Sequence, residues 1–373
     1  MRNKAERLIC RLKQMRQSRG LSQSQIAEMV GIKRQAIYDI ESGRYLPNTE
    51  VALHLAKYLS CRVEDLFSEE AHPGDRPVLM VEGTAPVSQR IAVARVRDRL
   101  VGYPLDGRSS FGQGFRPADG LLGIDGKTVK LFEDPYRLDR TAMLLGCDPA
   151  FGILASHVTR QSADVRLNCG FASSEKALKR LAAGESHLAA THMHNTGSEQ
   201  SNVTFAKKLL GKISARVIAF TIFEEGLMVA PGNPHKIMGV SDLAKKHVRM
   251  VNREPGAALR TLLDDRLALS GIPARRISGY RALVSNHEEG AQMVLHGLAV
   301  AALGLRAVAT AFGIDFVTLE TVRCDIVIPD DMMEHQAVRV MLDVLQTRAL
   351  RDELASLPGY DTRDTGKVIS TLS

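Results

Sequence analysis

The sequence predicts a multidomain chain in three parts: an all-α five-helix head, a short β-rich connecting segment and a larger α/β domain. Three observations predict it. Residues 1–68 carry apolar side chains at helical spacing, cut into short pieces by Ser, Gly and Pro. Residues 68–77, Ser-Glu-Glu-Ala-His-Pro-Gly-Asp-Arg-Pro, are polar and bear Pro and Gly, which reads as a linker. From Met143 onward strand-like runs alternate with helical ones, the pattern of a doubly wound α/β architecture. The expected boundaries are a head at 1–68, a linker at 69–77, a connecting segment at 78–140, the α/β domain at 141–357 and a tail at 358–373.

Leu8, Leu12 and Met15 predict a first helix over 4–18, ended by Gly20. Ser22 caps a second, stopped by Gly31; a third runs from Lys33 to Ser42 with Ile37 and Ile40 inward. Pro47-Asn48-Thr49 starts a fourth, striped by Val51, Leu55 and Leu59, and Val63–Phe67 makes a last short turn. Strand-like runs follow at Arg90–Val96, Arg99–Tyr103 and Thr128–Phe132, with Asp125-Gly126 as a hairpin turn. The expected α/β strands are Met143–Cys147, Val165–Gly170, His187–Met193, Val217–Ala230, Val248–Asn252, Ile277–Val284, Leu298–Leu303, Phe316–Leu319 and Val322–Ile328. Two helices close the domain near Ser356.

Composition narrows the function classes. Five scattered cysteines with no C-x-x-C pair argue against a disulfide framework or a structural zinc site, and suit a reducing compartment. No apolar h-region follows the basic start and no run of 18 apolar residues occurs, so a cytoplasmic protein with no membrane partner is expected. The formal charge of +7 is concentrated: residues 1–68 hold 12 Lys/Arg against 7 Asp/Glu, while the remainder holds 37 against 35. A small basic module on a nearly neutral body suits contact with a polyanion.

Leu21-Ser22-Gln23, Ile26-Ala27, Val30-Gly31-Ile32, Ile37, Ile40-Glu41-Ser42-Gly43-Arg44 and Pro47 together resemble the helix-turn-helix of the Xre/Cro/phage-repressor family. The physics agrees: Ala27 is small where two helices cross, and Gly31 permits a left-handed turn between them. The resemblance implies a lambda-repressor-like DNA-binding head. Lys33, Arg34, Gln35, Tyr38 and Asp39 would then form the face presented to a major groove. Arg34 can pair with guanine and Gln35 with adenine, each for roughly 1–3 kcal/mol of discrimination. Gln23 and Arg44 are placed for phosphates, whereas Arg16 and Glu41 would form an internal brace. One such module reads few base pairs, so a homodimer or higher homo-oligomer on a two-fold operator in double-stranded DNA is expected.

Further on, Gly146-Cys-Asp-Pro-Ala150, Thr191-His192, Val251-Asn-Arg-Glu-Pro-Gly256, Gly279-Tyr280 and Asp325-Ile-Val-Ile-Pro329 resemble the type II periplasmic-binding-protein-like domain related to molybdate-binding proteins. That likeness implies two lobes closing on a small-molecule effector: lobe one about 141–222 plus 320–357, lobe two about 223–319. Four loops would meet at the cleft and supply helix N-termini to an anion. They carry Asp148, Ser173 and Ser174, Arg253 to Arg260, and Asn286; His192 joins them at a strand end. Arg260 is the leading candidate for an oxyanion or carboxylate, since a guanidinium forks onto such groups. Asp148 either faces the effector or caps a helix, and Ser173 and Ser174 either donate hydroxyls or cap one. Ala257 and Leu259 stand where related domains often carry ligand-binding hydroxyls. A molybdate-like oxyanion and a small acid or zwitterion therefore both remain open.

Other chemistries are weaker. Cys147, Cys169 and His192 offer a metal- or redox-responsive alternative, although no local pair has a recognised metal spacing. Gly123–Thr128 imitates a phosphate loop but has Leu121 where the first glycine belongs, and no nucleophile-elbow, zincin or dinucleotide motif occurs. A Cys147/His192 nucleophile pair lacks a third orienting group in the sequence. No cofactor and no enzymatic activity are expected. The remaining alternative is a DNA-binding module without effector control.

Overall fold

The computed structural model describes residues 8–69, 76–81, 89–105, 115–132, 134–194 and 201–373. The chain divides into two compact units, Met1–Gly74 and Asp75–Ser373.

In the first unit, strand β1 (Leu8–Cys10) precedes helices α1 (Leu12–Ser18), α2 (Gln23–Val30), α3 (Arg34–Glu41), α4 (Thr49–Tyr58) and α5 (Val63–Leu66), and strand β2 (Phe67–Glu69) follows. The start of the helix expected over 4–18 is instead β1, paired antiparallel with β2. That pairing and the Arg11 N–H bond to Leu66 O occupy backbone groups that a longer helix would have used. Leu12, Ile26, Val30, Ile37, Ile40, Leu55 and Leu59 form the core. Ser22 and Gln25 close a reciprocal cap at the start of α2, and Gly31 ends it at φ 77°, where a Cβ would be strained.

The second unit begins with a six-stranded sheet, ordered β3 (Arg76–Pro77), β8 (Thr128–Leu131), β7 (Gly120–Leu122), β5 (Arg90–Val96), β6 (Arg99–Pro104) and β4 (Leu79–Met80). The Asp125 carboxylate accepts from Lys127 N, Thr128 N and Thr128 Oγ1, pinning the β7–β8 turn. Both faces of β5 are buried. Ile91 and Val93 face a small core with Leu122, Val129 and Leu138, while Ala92, Ala94 and Val96 join the α/β core. The segment expected as a connector thus shares the core of the α/β domain. His187 ties the two: Met143 N–H donates to its Nδ1 at 3.1 Å, and its Nε2 lies 3.0 Å from Arg95 O.

The α/β sheet runs β10 (Arg166–Phe171), β9 (Thr141–Gly146), β11 (Leu188–Thr191), β15 (Asp315–Pro329), β12 (Ala215–Val229), β14 (Ala301–Leu305) and β13 (Met250–Val251). It is mixed: β10, β9 and β11 are parallel, as are β13 and β14, whereas β11–β15, β15–β12 and β12–β14 pair antiparallel. The two expected strands Phe316–Leu319 and Val322–Ile328 are one strand, β15, running beside β12 through both lobes with register shifts at Ala219/Thr221 and Glu225/Gly226. The strand expected at Ile277–Val284 is absent: Ala282 N–H closes a turn onto Gly279 O, and only a bridge from Asn252 to Leu283 remains. A second core, with Ile237, Leu243, Leu259, Leu263 and Leu303, fills lobe two.

The tail is part of the sheet. Strands β16 (Tyr360–Asp361) and β17 (Val368–Leu372) pair with β12 on the edge that β14 occupies further along. They cover backbone groups that would otherwise form an open edge. Among the described residues no helix is long and apolar enough to cross a membrane.

Candidate functional site

The head presents a polar face on α3. Lys33, Arg34, Gln35 and Tyr38 are exposed and Asp39 is half-buried. The side chains of Lys33 and Arg34 make no hydrogen bond or ion pair within the described residues. Gln35 Nε2 donates to Asp39 Oδ1 at 3.1 Å, a weak i,i+4 bond in water that a nucleobase can replace. The exposed Arg44 guanidinium lies 5.6 Å from the Tyr38 ring centroid. Gln23 is placed differently from the phosphate contact expected of it. Its amide donates to Glu41 Oε2 at 2.8 Å, beside Arg16, whose Nε donates to Glu41 Oε1 at 2.6 Å. Glu41 is buried, so both neighbours are held to satisfy its charge.

In the α/β domain the strand ends and helix starts converge on a closed cleft. Lys176 Nζ to Glu254 at 2.5 Å and His194 Nε2 to Asp265 at 2.8 Å join the lobes at its rim. Gly256, at φ 86°, lies so close to Glu175 that a Cβ there would sit 2.6 Å from the carboxylate.

Asp148 does not face the cleft freely. Its carboxylate accepts from Tyr360 OH at 2.6 Å, Ala150 N at 2.9 Å and Thr221 Oγ1 at 3.3 Å. It therefore braces the start of helix Phe151–Gln161 against the tail. Burial raises its pKa, while the Tyr360 and Ala150 bonds oppose that rise. Arg260 is equally committed: Nε bonds Asp264, Nη1 bonds Arg253 O, and the guanidinium stacks 3.8 Å from the Tyr280 ring centroid. Asn286 caps helix His287–Leu295 through Glu289 N at 2.7 Å. Ser174 Oγ accepts from His192 N–H at 3.3 Å.

Two predicted residues keep donors in reserve. Arg253 is 1% exposed; Nη1 lies 3.1 Å from His287 Nδ1, and Nε and Nη2 have no hydrogen-bond partner among the described residues. Its guanidinium carbon sits 5.3 Å from the Phe171 ring centroid. Ser173 stands at the N-cap of helix Ser174–Ala182, yet its buried hydroxyl makes no capping bond and has no partner among the described residues. Burial, Arg253 and His192 together push His287 well below the ordinary imidazole value, so the ring beside Arg253 is neutral.

Cys147 and His192 meet, with Sγ 2.7 Å from Nε2, and the third group that the sequence did not reveal is Glu225, 2.5 Å from His192 Nδ1. Glu225 lies on β12 at its register shift. The adjacent acids Glu224 and Glu225 inside a largely apolar strand were the available signal. Burial opposes charge on His192, but Cys147 and Glu225 outweigh it and raise its pKa well above the ordinary value. Cys169 lines the same cavity as Cys147, but its thiol donates to Phe151 O at 3.4 Å, and burial pushes that thiol up to about 12. Among the described residues no three His, Cys, Asp or Glu side chains are grouped to hold a metal ion.

Residues 12–66 match the helix-turn-helix family model, and residues 155–346 match the PBP superfamily domain. The uncharacterized protein YvgK of Bacillus subtilis is 30% identical over 227 residues, covering 61% of this chain and 73% of that protein. The HTH-type transcriptional regulator MJ0272 of Methanocaldococcus jannaschii is 37% identical over 60 residues, 16% of this chain and 91% of that one. Among solved structures, the sulfate-binding protein SubI from Mycobacterium tuberculosis aligns with TM-score 0.44 at 15% identity, covering 59% of this chain and 86% of that one. Peb3 from Campylobacter jejuni aligns with TM-score 0.41 at 18% identity, covering 59% and 98%.

Proposed function

This chain belongs to the PBP superfamily and carries a helix-turn-helix DNA-binding head, and from that premise we propose that it is a one-component transcriptional regulator controlled by a small anion bound between its lobes. The observation that carries the reading is Arg253. A buried guanidinium with no ion-paired carboxylate among the described residues, and only the more distant charges of Glu254, Glu288 and Glu225 acting on it, costs stability, and its two unused N–H donors match a planar or tetrahedral oxyanion. Ser173 follows Phe171, the ring next to Arg253, by two residues and adds an unused hydroxyl at a helix start. Asp148 is spent on Tyr360 and Thr221, which removes the carboxylate that would favour a zwitterion over a plain anion.

In this reading, two heads of a homodimer in the cytoplasm grip a two-fold operator through Lys33, Arg34, Gln35, Tyr38 and Arg44. Anion-driven closure of the lobes changes operator affinity, and a fivefold to 150-fold change needs only about 1–3 kcal/mol of coupling. The test is thermal unfolding of the full chain with phosphate, sulfate, molybdate or small carboxylates, paired with operator binding by anisotropy. Saturation at 100 times Kd should add about 2.7 kcal/mol to the native state. Arg253→Met should abolish that shift and the operator response while keeping operator binding. An anion response unchanged in Arg253→Met removes Arg253 from the site. Operator binding indifferent to every anion favours a DNA-binding module without effector control.

A further inference from the structure

An anion held by Arg253 and Ser173 has no use for the row Cys147–His192–Glu225. Its order is that of an activated nucleophile: a sulfur, a base 2.7 Å away, and a buried carboxylate 2.5 Å from the far ring nitrogen. Glu225 is fully buried and His192 is 3% exposed, and their close approach is an ion pair rather than an aligned hydrogen bond. Beside the row stands the Arg253 guanidinium. It contacts His287, whose ring also bonds the Cys147 backbone, and its Nε and Nη2 are unpartnered.

Three features restrict what could react there. Cys147 is 8% exposed and opens on a cavity of about 30 Å³, bordered by Phe151, Phe171 and Asn286. That volume admits one or two molecules the size of water, and excludes an acyl or peptide substrate in this closed state. The neighbouring Arg253 cation disfavours a bound metal ion.

We propose that Cys147 is a modification site for hydroperoxides, with His192 as proton donor and Glu225 as the residue positioning its ring. The sulfur attacks the nearer peroxide oxygen; an S–O bond forms and the O–O bond breaks. Sulfur is oxidised by two electrons, the peroxide is reduced, and the departing oxygen takes the His192 proton to leave as water or an alcohol. The proton that the departing oxygen carries off is the thiol's own, taken first by His192, and the product is Cys147 sulfenic acid, its oxygen beside the Arg253 cation. Since the row joins lobe one, the crossing strand β12 and, through His287 and Arg253, lobe two, its oxidation alters the contacts that hold the cleft shut.

The experiment treats the reduced full-length protein with hydrogen peroxide, without DNA or added anion, quenches at intervals with catalase, and then traps sulfenate with dimedone in denaturant for peptide mass analysis. Cys147 should be labelled at least about tenfold faster than the half-buried Cys61 of the same chain. His192→Gln should slow Cys147 by about 100-fold and leave Cys61 unchanged, and Glu225→Gln should slow it less. Labelling of Cys147 no faster than Cys61 overturns the proposal, and this comparison needs no variant to fold. So does an unchanged Cys147 rate in a folded His192→Gln protein. Because neither operator nor anion enters the assay, its failure leaves the regulator reading standing.

Discussion

The recognition face of α3 and the cleft of the α/β domain both gather charged and polar side chains, but they hold them in opposite ways. On α3, Lys33 and Arg34 project into solvent and owe their placement to one short helix over an apolar core of Ile37 and Ile40. In the cleft, Asp148, His192, Glu225 and Arg253 are all at least nine-tenths buried and come from separate strands and loops. The first arrangement is local and its polar groups carry almost no stability. The second is assembled by the whole domain, and each buried charge is bound into its packing.

Substitutions can break or sharpen that contrast. The largest effect is expected at Asp148. Asp148→Ala strands the buried Tyr360 hydroxyl and Thr221 and releases the tail strands, a loss of about 4 kcal/mol measurable by urea unfolding. A loss under about 1 kcal/mol would mean that Asp148 is not the brace of the tail.

Next comes acid sensitivity. Burial, chiefly, lowers the His187 pKa from 6.5 to about 3, so between those values the unfolded chain binds the proton and the native one does not. Stability from this group is present above pH 6.5 and is lost as pH falls towards 3. Between pH 6.5 and 5 the loss is about 2 kcal/mol. Urea unfolding of His187→Gln, which can keep one donor and one acceptor, should show that slope reduced by this amount; an unchanged slope assigns it to other groups.

On the head, Arg34→Ala and Gln35→Ala should each remove about 1–2 kcal/mol of operator discrimination. Salt-sensitive nonspecific binding should persist, and the head should lose no more than about 0.5 kcal/mol of stability. Operator preference retained in both variants would place base recognition outside α3. The smallest effect is expected for Lys176→Ala at the cleft rim, under about 1 kcal/mol in unfolding, since half of that lysine side chain is exposed. A larger loss would make the Lys176–Glu254 pair a principal clasp rather than a rim contact.

How much could be read in advance follows the same division. The Arg16–Glu41 brace, the Gly31 turn and the Asp125 hairpin all depend on groups close in sequence or on one recurring helical arrangement, and each is present. Gln23 went to the Glu41 brace because a buried carboxylate takes the nearest donor. In the cleft the four loops carry the expected residues, but their roles moved. Arg260 pairs with Asp264 on its own helix and stacks on Tyr280, leaving the more deeply buried Arg253 as the guanidinium with unused donors. Glu225 was hidden in a run that reads only as a strand.

The sequence by itself determined the separate helical head, its helix-turn-helix and the strand–helix alternation of the α/β part, because helix spacing, strand period and turn residues are local signals. Tertiary structure alone decided that residues 78–140 share the α/β core, that the tail fills the open edge of β12, and that Tyr360 satisfies Asp148 across 212 positions. It also decided which charges in the cleft stay unpaired. Whether a buried donor finds a partner depends on groups brought together from distant parts of the chain, and no window of sequence contains them all.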